Sequence, residues 1–218
     1  MSARVGEAPS RTERRAEQRR RILDAARGVF FRDGFVKANL DEVAEVAGVA
    51  KGTLYRYFES KAEMYVAILS ADGEIFVEKM RESVADKTLP PDERIRRVSR
   101  FYLGHWSENR EYFQIFWAME NQPVIGELPP GVVAEVTRLW EQCLGILAEV
   151  VQEGLSAGRF RECDPWAVAN ILWTLANGII GVETSPVHRK LRAHSLEETY
   201  HEAVEFVIAG LLPLGEQG

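Results

Sequence analysis

The 218-residue sequence predicts an all-α protein of about nine helices. Apolar residues recur at three- and four-residue spacings along most of the chain, the period of an amphipathic helix. No stretch keeps the strict alternation of a strand or the paired turn residues of a hairpin. Helix caps and Gly/Pro breaks fall at intervals that suit helices, and there is no internal repeat or low-complexity tract.

Residues 1–13, with Gly6, Pro9, Ser10 and few apolar side chains, are expected to be mobile. Arg11, Arg14, Arg15, Arg19, Arg20 and Arg21 then form a basic arm and the start of the first helix. That helix carries Ile22, Ala25, Ala26, Val29 and Phe30 in one stripe and ends where Gly34 can take a left-handed cap. Asn39 reads as the N-cap of a short second helix whose buried stripe is Leu40, Val43, Ala44 and Ala47. The small Ala44 and Ala47 permit close helix approach, and Gly48 permits a sharp turn that sets a third helix across the second.

In the third helix residues four apart share a face, so Leu54 and Phe58 point one way. Gly52, Thr53 and Arg56 point roughly the other way, flanked by Tyr55 and Tyr57. Ser60-Lys61-Ala62-Glu63 is a capping box that opens a long helix reaching roughly Val84. Thr88-Leu89-Pro90-Pro91 breaks it. Further helices are expected at roughly 92–106, 109–120, 130–157, 164–184 and 195–212. Asn109, the Pro123 to Pro130 loop, Gly158 and a polar loop from Ser185 to His194 separate them.

One face of the third helix therefore packs while the other offers hydroxyls, a guanidinium and a close-approach glycine. Those are the groups with which a helix lies in a DNA major groove and holds phosphates. Gly34-Phe35, the Val43-Ala44-x-x-Ala47-Gly48-Val49 run, Gly52-Thr53-Leu54-Tyr55-x-Tyr57-Phe58 and Ser60-Lys61 resemble the DNA-binding domain of the TetR/AcrR family of transcriptional regulators. The resemblance covers about the first third of the chain. It implies an N-terminal three-helix helix-turn-helix domain over residues 1–61, with a flexible basic arm, and a larger effector-binding and dimerisation domain over 62–218.

The same resemblance implies phosphate contacts from Thr53, Tyr57 and Lys61, with Lys51, Gly52, Tyr55 and Arg56 facing base edges or the groove wall. Asn39, capping the supporting helix, completes the expected DNA-binding set. Two positions depart from the family pattern. Ala50 stands where serine commonly caps the recognition helix, and Asn39 where threonine or serine is usual. Asparagine preserves capping, whereas alanine loses a cap that is typically worth about 1 kcal/mol.

Charge is divided to match. Residues 1–61 hold 13 Lys+Arg against 9 Asp+Glu, net +4, and residues 62–218 hold 14 against 24, net -10, within an overall charge of -6. The basic part carries the DNA motif, and the acidic remainder is repelled by phosphate. No run approaches the ~20 apolar residues of a membrane span, and no apolar signal-peptide core opens the chain, so a cytoplasmic location without membrane association is expected. Cys143 and Cys163 have no closely spaced Cys/His neighbours, which points to neither a disulfide nor a metal site, and no cofactor is expected. There is no phosphate-binding glycine loop, nucleophile elbow or His-Glu-x-x-His, so an enzyme is not expected.

Beyond residue 100 aromatics concentrate. Phe101, Trp106, Phe113, Phe116, Trp117, Trp140 and Trp173, with His105, Glu120 and Asn177 as polar groups, are candidates for an effector pocket, although the same spacing builds an ordinary core. In the resembling family this domain holds an apolar effector pocket, and its last two helices form a four-helix bundle with their counterparts in a second subunit. Here the helix from 164 is apolar on more than one side, and the last helix carries a wide apolar stripe. Trp166, Gly178, Gly181, Val204, Val207 and Leu211 are the expected homodimer contacts. The resulting expectation is a ligand-responsive regulator, a repressor that binds a palindromic DNA operator as a homodimer and is released by a small apolar or amphipathic molecule. The alternative is a DNA-binding regulator whose C-terminal domain engages a protein partner.

Overall fold

A computed structural model describes residues 10–110, 113 and 130–213. Among these residues the chain forms nine α-helices and one short 3-10 turn, with no strand. It divides into two units, Met1–Leu69 and Ser70–Gly218.

In the first unit α1 runs Arg11–Lys37, α2 Leu40–Val46 and α3 Lys51–Tyr57, and α4, Lys61–Ser83, begins there. Residues 11–13, expected within a mobile arm, are helical. Ser10 accepts from the Glu13 N–H at 3.2 Å while the Glu13 carboxylate accepts from the Ser10 N–H at 2.6 Å, and this reciprocal cap starts α1 early. The anticipated break at Gly34 is a kink with φ 73°, open to glycine, and α1 continues to Lys37. Asn39 Oδ1 accepts from the Asp41 N–H at 2.9 Å and caps α2. Gly48, at φ 65°, makes the turn into α3. Ala50 precedes α3 without a side-chain cap.

Ile22, Ala26, Val29 and Phe30 of α1, Val43 and Ala44 of α2, and Leu54 and Phe58 around α3 are buried together. The division falls at Leu69 and Ser70, later than the expected 61/62. The first turns of α4 bury Met64, Tyr65 and Ile68, and Tyr65 meets Phe30 and Phe35 edge-on at 5.3 and 4.9 Å.

The second unit holds the rest of α4, then α5 (Pro91–Glu108), α6 (Pro130–Ser156), α7 (Pro165–Gly181), a 3-10 turn (Val182–Thr184), α8 (Pro186–Leu191) and α9 (Leu196–Leu211). Its core gathers Phe76 and Met80 of α4, Ile95, Val98 and Tyr102 of α5, Ile146 and Val150 of α6, Leu172 and Trp173 of α7, and Tyr200, Val204 and Ile208 of α9. Between α4 and α5 the buried Arg94 donates to the Val84 carbonyl at 2.8 Å and to Glu153, and Lys87 reaches Glu153 at 2.7 Å. These charge-assisted bonds pin the turn to α6 and lower the Glu153 carboxyl below its usual range.

Where a polar loop from Ser185 to His194 was expected, α8 forms. Ser185 accepts from the His188 N–H at 3.4 Å and Pro186 occupies the first turn with φ preset. The expected helix at 109–120 lies almost wholly outside the described residues. No described helix is long and apolar enough to cross a membrane.

Candidate functional site

The recognition helix α3 is short, so its position is set by what it buries. Leu54 and Phe58 are almost fully enclosed against α1 and α2, and Lys51, Gly52, Tyr55 and Arg56 stand exposed, with Thr53 and Tyr57 half-buried beside them. Hydroxyls, one ammonium and one guanidinium thus share the outward side of a helix held rigidly from below, a surface chemically able to contact a duplex.

Two cations on this surface have structural partners. Lys51 Nζ lies 2.7 Å from Asp41 Oδ1, and that carboxylate holds the ammonium above the usual lysine range. Lys61 Nζ lies 5.1 Å from the centre of the Phe35 ring, and burial pushes its pKa down. Tyr57 is flanked by the guanidiniums of Arg56, 5.7 Å from its centre, and Arg15, 6.0 Å away. Asn39 spends its side-chain oxygen on capping α2, as the first-turn geometry demands.

The aromatic candidates of the second unit are brought together around Phe76. Phe101, His105 and Trp106 stand 5.4, 4.7 and 5.6 Å from its ring, and Trp106 meets Phe113 at 5.4 Å. Tyr102 packs on Trp173 at 5.6 Å and donates to Asn177 Oδ1 at 2.6 Å, a hydrogen bond deep in the core where Asn177 is 1% exposed. Trp140 is half-buried against the same core. Phe116, Trp117 and Glu120 lie outside the described residues.

A cavity of about 270 Å³ is lined by Trp106, Phe113, Ile180 and Leu196 together with Ser107, Arg110, Glu183 and Arg189. Only Trp106 and Phe113 of its walls were foreseen. Arg110, Glu183 and Arg189 carry no periodic signature, since Arg110 follows the end of α5, Glu183 lies in the 3-10 turn and Arg189 sits on the short α8, whose polar composition predicts a loop.

The expected dimer residues separate into two groups. Trp166 is 44% exposed, Val207 and Gly178 are partly exposed, and an added Cβ at Gly178 would meet nothing within 4 Å. Val204 and Leu211, each 4% exposed, are instead buried in the core of their own unit, and Gly181 is buried as well. The turn of α9 directs 204, 208 and 211 inward and leaves Phe206, 71% exposed, on the outer side. Val204, Gly181 and Leu211 thus face the interior of their own unit, whereas Trp166, Val207 and Gly178 lie at or near its surface.

Comparison with known proteins adds independent findings. Residues 22–68 match the family described as bacterial regulatory proteins, tetR family, and residues 88–181 match the tetracyclin repressor-like C-terminal domain. The HTH-type transcriptional activator FasR of Mycolicibacterium smegmatis is 30% identical over 149 residues, 67% of this chain and 65% of that protein, a little under two thirds of its length. The fatty acid metabolism regulator protein of Bacillus subtilis is 23% identical over 146 residues, 65% of this chain and 70% of that protein. Among solved structures, the transcriptional regulator FadR from Bacillus subtilis in complex with stearoyl-CoA has a TM-score of 0.69 at 20% identity. The match covers 88% of this chain and 98% of that one, a likeness of fold.

Proposed function

The chain belongs to the TetR family, DNA-binding transcriptional regulators rather than enzymes, and on that footing we propose that it is a ligand-responsive repressor that grips a palindromic operator as a homodimer. The observation that carries this reading is the outward polar face of α3 over buried Leu54 and Phe58, in the segment that matches the family's DNA-binding domain. Two subunits related by a two-fold axis present their recognition helices to successive major grooves ~34–36 Å apart. Trp166, Ile171 and Phe206, all exposed on α7 and α9, supply the apolar surface that a second copy covers.

The effector we propose is a long-chain acyl thioester such as an acyl-CoA. Relatives named for fatty acid metabolism and the stearoyl-CoA complex support it, as does a cavity with apolar walls and two arginines. Phe113, Trp106 and Ile180 suit an acyl chain, and Arg110 and Arg189 suit an anionic head. Helix α4 crosses the division between the units, so an effector that favours one packing of the second unit shifts the recognition helices. Release is then a population shift that requires unequal effector affinity for the two states.

A second reading, activation, is favoured by the relative in Mycolicibacterium smegmatis named as an activator. Operator selection from genomic DNA, followed by titration with palmitoyl-CoA and with free CoA, tests the whole reading. We expect selective retention of a palindrome and its release by the acylated form alone. Failure to retain any sequence over mixed DNA overturns the regulator reading, and release by neither compound overturns the acyl effector. Tighter operator binding with palmitoyl-CoA replaces repression by activation.

A further inference from the structure

We propose that the outer face of α8 is the docking surface for a small acidic carrier protein, which presents the effector as an acyl group thioester-linked to its pantetheine arm. The proposal rests on the acyl-effector reading above and names the macromolecule that brings that effector to the cavity.

The helical wheel gives the geometry. At ~100° per residue, Val187 and Leu191 share one side of α8, His188 and Lys190 flank them, and Arg189 falls on the opposite side. The structure has this arrangement. Val187 is 66% exposed and Leu191 76%, whereas Arg189 lines the cavity of about 270 Å³. Helix α8 is therefore a wall one helix thick, about 10 Å, with the cavity behind it and an uncovered apolar pair in front.

Charge sets this wall apart from its surroundings. Residues 62–218 carry a net charge of -10, yet residues 186–194 hold His188, Arg189, Lys190, Arg192 and His194 and no acid. The other basic run of this unit, Arg94, Arg96, Arg97 and Arg100 of α5, is committed to pairs with Glu153, Glu205, Asp86 and Glu93. Arg192, just beyond α8, pairs with Glu183 and so neutralises a carboxylate of the cavity lining. Arg189 and Lys190 have no acid partner among the described residues.

An apolar centre framed by cations is the anatomy of a protein interface that receives an acidic partner. Coenzyme A finds Arg110 and Arg189 in the cavity for its phosphates, but it brings nothing to cover Val187 and Leu191 on the far side of the helix. An acidic amphipathic helix covers both, with carboxylates toward Lys190 and His188 and apolar side chains on the pair. The acidic remainder of the unit repels such a carrier and steers it to this one basic stretch. From there the acyl arm crosses a single helix to reach the cavity.

The test uses the full chain and a fluorescently labelled acyl carrier protein, either palmitoylated or bearing the free pantetheine thiol, with palmitoyl-CoA titrated in parallel. Val187→Ser/Leu191→Ser and Lys190→Glu are compared with wild type; all three positions are exposed, and thermal midpoints should match wild type. We expect the palmitoylated carrier to bind wild type more tightly than the unacylated one, and each variant to weaken that binding about tenfold at about 50 mM salt. The Lys190→Glu deficit should shrink at about 500 mM salt, where exposed charges are screened. Palmitoyl-CoA binding should stay within about twofold of wild type in both variants, since Arg189 and the cavity are untouched. Binding of palmitoyl-CoA without binding of the carrier, or carrier affinity unchanged in both variants, overturns the docking surface and leaves the acyl effector standing. Binding of neither acyl compound overturns the effector reading and the docking surface with it. A wild-type dimer that Val187→Ser/Leu191→Ser converts to monomer assigns the face to a second copy instead. Retention on phosphatidylglycerol vesicles without carrier binding assigns it to a lipid surface, and either result overturns the carrier.

Discussion

Lys51 at the start of α3 is tied to Asp41 in the first turn of α2, Nζ to Oδ1 at 2.7 Å, while the Asp41 N–H donates to Asn39 Oδ1 at 2.9 Å. The cap of the supporting helix therefore fixes the acid that holds the first side chain of the recognition helix. To reach a base edge Lys51 must leave this carboxylate, and an exposed pair of this kind changes an equilibrium constant by no more than about fivefold. Asp41→Asn is expected to tighten binding to mixed-sequence duplex by about twofold to fivefold by freeing Lys51 and removing a charge that repels phosphate. Lys51→Ala should relax the preference at one operator position. Affinities across single-base operator variants check both, and an unaltered sequence profile in Lys51→Ala would remove that lysine from base reading.

Lys61 rests over the Phe35 ring at the start of α4, where helix N–H groups already favour an anion. We expect Lys61→Ala to weaken binding to every sequence and to lower the salt slope by about one unit per half-site contact, with Lys61→Arg retaining the slope. Equal slopes for wild type and Lys61→Ala would show that this lysine holds no phosphate.

Two substitutions on α9 separate folding from assembly. Leu211→Glu places an unpaired charge in the interior of one subunit, at a cost on the order of several kcal/mol, and should lower the thermal midpoint sharply. Phe206→Glu, on the outer side of the same helix, should leave the helical circular dichroism intact, convert the proposed dimer to monomer in sedimentation and weaken operator binding. A dimer that survives Phe206→Glu moves the interface off this face.

His105 packs against Phe76 and Trp106 at 4.7 and 4.9 Å, and its pKa is lowered from the ordinary 6.5, chiefly by burial and next by Lys79, with Glu108 and Asp72 opposing. The unfolded chain then binds more protons than the folded one just below pH 6.5. The neutral ring's contribution to stability is complete above that value and is lost as pH falls toward the lower folded-state pKa. His105→Phe should flatten the dependence of the denaturant midpoint on pH in this window. The carboxylates of Asp92, Glu153 and Glu205, whose pKa values are lowered, lose their contribution only at more acid pH. Parallel pH profiles for variant and wild type would refute the assignment to His105.

Much of this molecule is local and can be read along the chain. The stripe Ile22, Ala26, Val29 and Phe30, the cap at Asn39, the turn at Gly48 and the packing pair Leu54 and Phe58 need only helical period and backbone chemistry, and the structure places each where those rules require. The aromatic gathering around Phe76 is legible in the same way, because large apolar side chains at helical spacing seek one interior. What escapes a linear reading is which neighbour a side chain meets. Arg14 and Arg19 belong to one basic run, yet one lines a concavity beside α3 and the other lies over Phe58. Leu211 and Phe206 both belong to one apolar-rich helix, yet the first is core and the second is surface. Period assigns residues to faces, but the packing of separate helices, joined through contacts far apart in the chain, settles which face is covered and which charges find an acid, a ring or solvent.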